Sequence, residues 1–313
     1  MGTSNPSLRR ETSEMPSLRN LTDSSKLAPE SGRVPKLSIQ ISTMGEDSTL
    51  DVLRSIRNQN FSDFEIVVSC PERNTHTCKS IISLADKFVP ISNEWGLLRA
   101  RFEALLASNG AFSLMLDATR LVLPNGLIEA SHLADRYDVA ILREGSIGDG
   151  FWAHAAGVDR KICQNPKNLA QSVQVGSGFV LPRLFKSDLL RSAFLTVRDD
   201  LGPRAFNRVI QYDHHLVSRA FRTLSTNLGV SENAIIAHIE DSNLRSILRK
   251  YYRYGRSTSA LREYSRKSGN IGVRSHFRNL KGVSMGDLAY IAALNSVKGS
   301  AYILGKISAS YSD

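Results

Sequence analysis

The sequence predicts an α/β protein with a predominantly parallel central sheet, and three observations predict it. Strand-type runs recur between residues 37 and 240, stretches with helical spacing separate them, and one run, FSLMLD (112–117), is almost wholly apolar and ends on an acid. Such a run suits a central strand buried on both faces. Parallel strands need a crossover, usually a helix, so the alternation of the two patterns implies the sheet type.

Taken in order, residues 1–36 hold seven Ser and four Pro without apolar periodicity, which predicts a flexible leader. LSIQIST (37–43) alternates as a strand does, and STLDVLRSIRN (48–58) places Leu50, Leu53 and Ile56 at helical spacing behind a Ser/Thr cap. FEIVVSC (64–70) is the second strand, residues 75–85 suit a short helix, KFVPI is a brief strand, and 94–108 is amphipathic. After FSLMLD come a helix from Pro124, the strand DVAILRE (138–144), a Gly-rich and less regular region through Gly178, and renewed regularity at GFVLPRLF. A helix over 213–222, a strand AIIAHI (234–239) and a long basic helix over 242–265 complete the body. The tail, 285–307, is apolar but interrupted by Asp287, Asn295, Lys298 and Lys306, so it suits packing on the body or lying on a membrane surface rather than crossing one.

Composition narrows the function. With 313 residues and 42% hydrophobic content the chain buries a substantial core. Cys70, Cys78 and Cys163 form no CxxC pair, which argues against a zinc ribbon or a disulfide scaffold. The N-terminus lacks an apolar signal-peptide core. Residues 245–281 contain eleven Lys or Arg and one acid, Glu263; that window equals the whole formal net charge of +10. A cationic segment of this kind meets phosphate.

In parallel α/β sheets ligands bind outside the carboxyl ends of the strands. The residues there are Ser42 and Thr43, Cys70 to Arg73, and Asp117 to Arg120. Asp117 ends a buried strand, and a carboxylate there costs several kcal/mol unless a divalent cation or a cationic ligand compensates it. From position alone, a turn-capping role is the other reading. His214 and His215 are adjacent, hence about 100° apart on a helix and poorly placed to share a metal. Gly176 and Gly178 lack the strand-to-helix context of a dinucleotide fingerprint and read as a turn or a close approach to substrate.

The order LSIQIST, NQNFSDFEIVVSC, RARFEALLASNGAFSLMLDATRLVLPNGL, GSGFVLPRLF, YDHHLVSRA and AHIEDSNLRSILRKYYRYG, over about residues 36–260, resembles family 2 glycosyltransferases of the GT-A fold. Asn58, Gln59, Phe61, Phe64 and Glu65 match the family's segment around its second strand. Ala100 and Arg101 match the start of its ARN-like turn, with Phe102 third. Asp213, Leu216 and Arg219 match its E-D-x-x-L-x-x-R helix, with Tyr212 in place of the glutamate. GDGFWAHAAGVDRKIC, His238, Glu240 and KYYRYGRS look most like members that build prenyl-linked or cell-surface glycans.

The resemblance implies a GT-A domain over 37–240 with a basic helical extension over 241–313. It further implies a nucleotide-diphosphate sugar donor and Mg2+ or Mn2+ held by Asp117 with His238. Asp213 becomes the catalytic base of an inverting transfer, and Ser42, Thr43, Glu72, Arg101, Asp117 and Thr119 the donor-binding residues. Two positions depart from the pattern. The D-x-D site reads Asp117, Ala118, Thr119, and the acid after the second strand is replaced by Cys70, Pro71, Glu72 and Arg73, leaving Glu72 to substitute.

Arg249, Lys250, Arg253 and Arg256 recur at three- or four-residue steps with Tyr251, Tyr252 and Tyr254 interleaved. They read as a solvated face, a membrane-surface contact or an acceptor-phosphate site, each basic residue near an anionic leaflet contributing about 1 kcal/mol. The expectation is a transferase acting on a lipid-linked or cell-surface glycan at the cytoplasmic face of the membrane. The alternatives are a degenerate GT-A domain serving as a binding subunit, and a basic nucleic-acid-binding protein.

Overall fold

A computed structural model describes residues 34–74, 79–175, 180–261 and 279–310. Most of the leader, Cys78, Gly176, Gly178 and the basic residues between 262 and 278 lie outside them. The described residues form an eight-stranded mixed sheet in the order β3-β2-β1-β4-β7-β6-β8-β5, flanked by helices. The strands are β1 (Leu37–Ser42), β2 (Phe64–Pro71), β3 (Lys87–Ile91), β4 (Phe112–Asp117), β5 (Arg120–Val122), β6 (Val139–Ile147), β7 (Leu184–Lys186) and β8 (Leu228–Ile239). The α/β class expected from the alternation is present.

Four of the strands, β3, β2, β1 and β4, run parallel in strict register. Helices return the chain between them: α1 (Ser48–Arg57), the one-turn α2 (Lys79–Ile82) and α3 (Leu97–Ala107). Beyond β4 the direction reverses, since β7 lies antiparallel to both β4 and β6, and β5 is antiparallel to β8. A three-residue β7 carries no periodicity by which orientation could be read.

The period-2 alternation of β4 sorts its side chains onto two faces. Leu114 and Leu116 join a core with β1, β2, α1 and α4 (Gly126–Ala134), whereas Met115 joins a second core with α3, α7 (Ser187–Leu201) and α9 (Asp213–Arg222). Helix α7 lies in a stretch the sequence reading left unassigned, although Leu190, Ala193, Phe194 and Val197 keep helical spacing and are all buried. The Gly-rich stretch is also more regular than expected. It forms α5 (Gly150–Cys163) and α6 (Pro166–Val175). Gly157 disguised α5, and it has a packing reason: a Cβ there would stand 3.3 Å from that of Ser146 on β6. A short helix, α8 (Pro203–Phe206), leads toward α9.

Two α-helices follow β8 among the described residues and lie on the body. Helix α10 (Leu244–Ser257) starts behind an Asn243 cap that accepts from the Arg245 amide at 2.8 Å. It crosses α11 (Met285–Ser310) backbone to backbone. At the crossing a methyl on Gly255 would overlap the Tyr302 carbonyl, and one on Gly305 the Tyr252 carbonyl, so both glycines are required by contact. Leu294 of α11 packs with Ile247 and Ala155, and Lys298 reaches Asp159 of α5 at 3.6 Å. Helix α11 thus packs on the body. Ile303, Leu304 and Ile307 remain exposed, as do Leu244 and Leu248 of α10.

Candidate active site

The parallel register sets the site. Ser42, Ser69 and Asp117 are partners across β1, β2 and β4, all at the carboxyl ends of their strands. Asp117 closes the apolar β4, and the chain turns at once into β5 beginning with Arg120, whose partner on β8 is His238. Asp213 begins α9, immediately after Tyr212, which adopts a left-handed conformation (φ 64°). That conformation is unfavourable for a tyrosine and persists where surrounding structure holds it. Here the Tyr212 hydroxyl meets that of Tyr302 on α11 at 3.2 Å, so the C-terminal helix braces the turn that presents Asp213.

Arg101, from α3, joins the two aspartates. Its guanidinium pairs with Asp117 and stands 3.0 Å from Asp213, the latter an ion pair without hydrogen-bond geometry. Asp117 and Asp213 therefore share Arg101 as a partner. Asp117 also pairs with Arg120 and lies 3.6 Å from Arg183, so three guanidiniums converge on it.

A second layer lies beneath. Glu144 on β6 accepts from Arg120 at 3.1 Å and Arg183 at 2.6 Å, and pairs with Arg160. Arg160 in turn donates to Glu240 at 2.7 Å, and Glu240 stands 3.0 Å from His238. Among the described residues the cluster comprises four arginines and four carboxylates, which cancel in charge. Against the cost of burial, the charges of Arg120, Arg183 and Arg160 hold Glu144 well below the usual carboxylate range. Burial, and then the like charge of Arg183, pull Arg120 down to about 9. Burial brings His238 to about 4, and burial followed by the charges of Arg101 and Arg183 holds His214 well below the ordinary imidazole range, so both rings are neutral near pH 7.

Several expectations change. His214 lies in the cluster, since its Nε2 faces Arg101 and lies 3.5 Å from Arg183, whereas spacing alone says only that it is poorly placed to share a metal with His215. Thr43 is buried, and its hydroxyl donates to Glu46 at 2.6 Å and meets Thr49 at 2.8 Å; it braces the loop into α1 rather than facing a ligand. Ser42 meets the Ser69 hydroxyl at 2.8 Å, and Thr119 meets His238 Nε2 at 3.3 Å. Glu72 is exposed in a 3-10 turn after β2. Lys250 pairs with Asp241 at 3.1 Å and so stands apart from exposed Arg249, Arg253 and Arg256.

The donor set does not suit a divalent cation. Each Asp117 oxygen already meets a guanidinium, and the His238 nitrogens face Glu240 and Thr119. A cation at Asp117 would stand among three positive charges. Among the described residues, no three His, Cys, Asp or Glu gather as metal ligands do. Arg120, Arg183, Glu144 and Arg160 are what the sequence reading missed as a group. Their signal was the charged residue at the end of, or inside, an apolar run, as in DATRLVL, DVAILRE and FVLPRLF.

Beside the cluster, a cavity of about 520 Å³ opens past the end of β6, lined by Ser146, His154, Lys161, Lys281 and Asp287 among others. The Ser146 hydroxyl also donates to Glu240 at 3.1 Å, which places the cavity against the ion network.

No protein-family model and no curated protein matches the chain. Solved structures resemble it at low identity. TarS from S. aureus, residues 1–349 in complex with UDP-GlcNAc, aligns with a TM-score of 0.48 and 14% identity over 85% of this chain and 81% of that one. The same protein in complex with UDP aligns with a TM-score of 0.47 and 14% identity over 89% and 92% of the two chains. A longer TarS structure gives a TM-score of 0.46 and 13% identity over 87% of this chain and 55% of that one.

Proposed function

We propose that the protein is an inverting glycosyltransferase that moves a sugar from a nucleotide-diphosphate donor to a lipid-linked or cell-surface glycan at the inner face of the membrane. The observation that carries this reading is the convergence of Asp117 and Asp213 on Arg101 at the carboxyl edge of a parallel sheet. In such a site the diphosphate end of the donor lies toward Asp117 and its arginines, and the acceptor hydroxyl toward Asp213. As the acceptor oxygen bonds to the anomeric carbon, the bond from that carbon to the diphosphate breaks and the electron pair leaves with the phosphate. Asp213 takes the hydroxyl proton, and guanidiniums already in place oppose the growing phosphate charge. Attack from the face opposite the leaving group inverts the centre.

Support for the membrane contact is local. Leu244, Leu248 and Tyr252 form an exposed stripe on α10 at four-residue steps, flanked by exposed Arg245, Arg249 and Arg253. Apolar side chains beside arginines suit the headgroup boundary of an anionic leaflet.

Two measurements test the reading. With the cognate nucleotide sugar and a lipid-linked glycan acceptor, Asp213→Asn is expected to lower transfer by about 10²- to 10⁴-fold, the usual contribution of a general base. Wild-type transfer retained in that variant, with native folding, would favour a binding subunit over an enzyme. Co-sedimentation with vesicles containing phosphatidylserine should be strong at low salt and weaken as salt rises. Indifference to vesicle charge, together with salt-sensitive retention on nucleic acid, would favour the nucleic-acid reading.

A further inference from the structure

We propose that Arg101, Arg120 and Arg183 are the receptor for the donor's diphosphate and that Asp117 is a resident counter-anion which the ligand displaces, so that guanidiniums stand where the related reaction would use a divalent cation. This rests on the glycosyltransferase reading and adds how its donor is held. Three features of the cluster carry it.

First, the acids are not equivalent. The Asp117 side chain is 27% exposed, whereas those of Glu144 and Glu240 are 6% exposed and that of Asp213 is 9% exposed. Asp117 is the member of the network that an incoming anion reaches.

Second, the arginines stay placed when Asp117 turns away. Glu144 holds Arg120 at 3.1 Å and Arg183 at 2.6 Å through its other contacts, and Asp213 stands 3.0 Å from Arg101. The receptor is therefore organised before the ligand arrives, which lowers the cost of binding.

Third, charge and shape agree. Without the Asp117 carboxylate the cluster holds four guanidiniums against three acids. That surplus of one positive charge favours an anion, and a diphosphate, with at least two negative charges, more than neutralises it and presents the paired oxygens that planar guanidinium forks bind bidentately.

The two roles for Asp117 predict opposite signs. A metal ligand, once neutralised, weakens nucleotide binding; a displaced counter-anion, once neutralised, strengthens it. The experiment is calorimetric titration of UDP, GDP, CDP, dTDP and inorganic pyrophosphate into the full chain, in EDTA and in Mn2+, for wild type, Asp117→Asn and Arg120→Gln.

The expected result is that one nucleoside diphosphate binds wild type in EDTA with an affinity within about threefold of that in Mn2+. Asp117→Asn binds it about 3- to 10-fold more tightly, and Arg120→Gln at least about tenfold more weakly. Circular dichroism and melting temperature establish that each variant folds. Binding that requires Mn2+, or that disappears in folded Asp117→Asn, overturns the inference while leaving the glycosyltransferase reading in place. Binding of none of the four nucleotides in either condition removes both. If Asp117→Asn does not fold, the wild-type comparison of EDTA with Mn2+ decides by itself.

Discussion

The two halves of the sheet are held by different forces. In β3-β2-β1-β4 the strands are parallel, their register is unbroken, and what lies between them and α1 is aliphatic: Ile39, Ile41, Val52, Leu53, Ile56, Ile66 and Val68 are fully buried. In β7-β6-β8-β5 the directions are mixed, the β6-β8 register shifts between Ile141 and Glu144, and buried charge runs through the interior from Arg120 to Glu240. Apolar packing is non-directional and tolerant, whereas a buried ion network is favourable only when every member keeps its partner. The first half is a scaffold whose carboxyl edge presents Asp117 to the charges of the second. The second half sacrifices that tolerance for a place where charge is held ready, which is what the proposed diphosphate site would require.

The comparison breaks most sharply at Glu144. Glu144→Leu leaves Arg120, Arg183 and Arg160 facing one another without the carboxylate they share. A loss of about 3–5 kcal/mol is expected, read as the midpoint of urea unfolding. A change below about 1 kcal/mol would mean that the network contributes little and that the two halves are held alike.

Acid sharpens the same contrast with a smaller effect. His214, His215 and His238 all have folded-state affinities for protons below the ordinary imidazole value, His215 and His238 at about 4, each chiefly through burial. The unfolded chain therefore takes up protons near pH 6.5 while the folded chain resists, so stability present at pH 7 is lost as pH falls from about 6.5 toward 4. Glu240, lowered to about 2 by His238 and Arg160 against the cost of burial, extends the loss below pH 4.5. Melting temperature measured from pH 7 to pH 4 is expected to fall continuously. A flat profile would show that these rings are solvated.

The smallest effect belongs to the scaffold. Ile66→Val removes one methylene from the aliphatic half and is expected to cost about 0.5–1.5 kcal/mol by urea unfolding, with no dependence on salt or pH. A larger, salt-sensitive loss would mean that the two halves are energetically coupled.

Legibility followed the same division. The aliphatic half was read nearly residue for residue, because LSIQIST, FEIVVSC and FSLMLD carry the strand pattern in their own spacing. Helix α9 likewise spans the 213–222 that its spacing predicts, and Asp117 stands out in the sequence by its position and Asp213 by the resemblance. By contrast, α5 and α6 read as irregular chain in the sequence, because glycines and polar residues blur a pattern that packing against β6 and α11 restores. The reversed β7 and the role of His214 were not visible either. Neither depends on neighbours in sequence.

The sequence by itself determined which runs become strands and helices, since alternation of period 2 or 3.6 needs only one buried face to be satisfied. It also determined that an acid ends a buried strand and must be compensated. Arg120, three residues away, is a local partner, but the tertiary structure adds Arg101 of α3 and Arg183, just before β7, to Asp117. Local pattern records how a segment hides its apolar face. Charge pairing across 16 to 66 residues of chain depends on where the folded sheet brings those segments to rest.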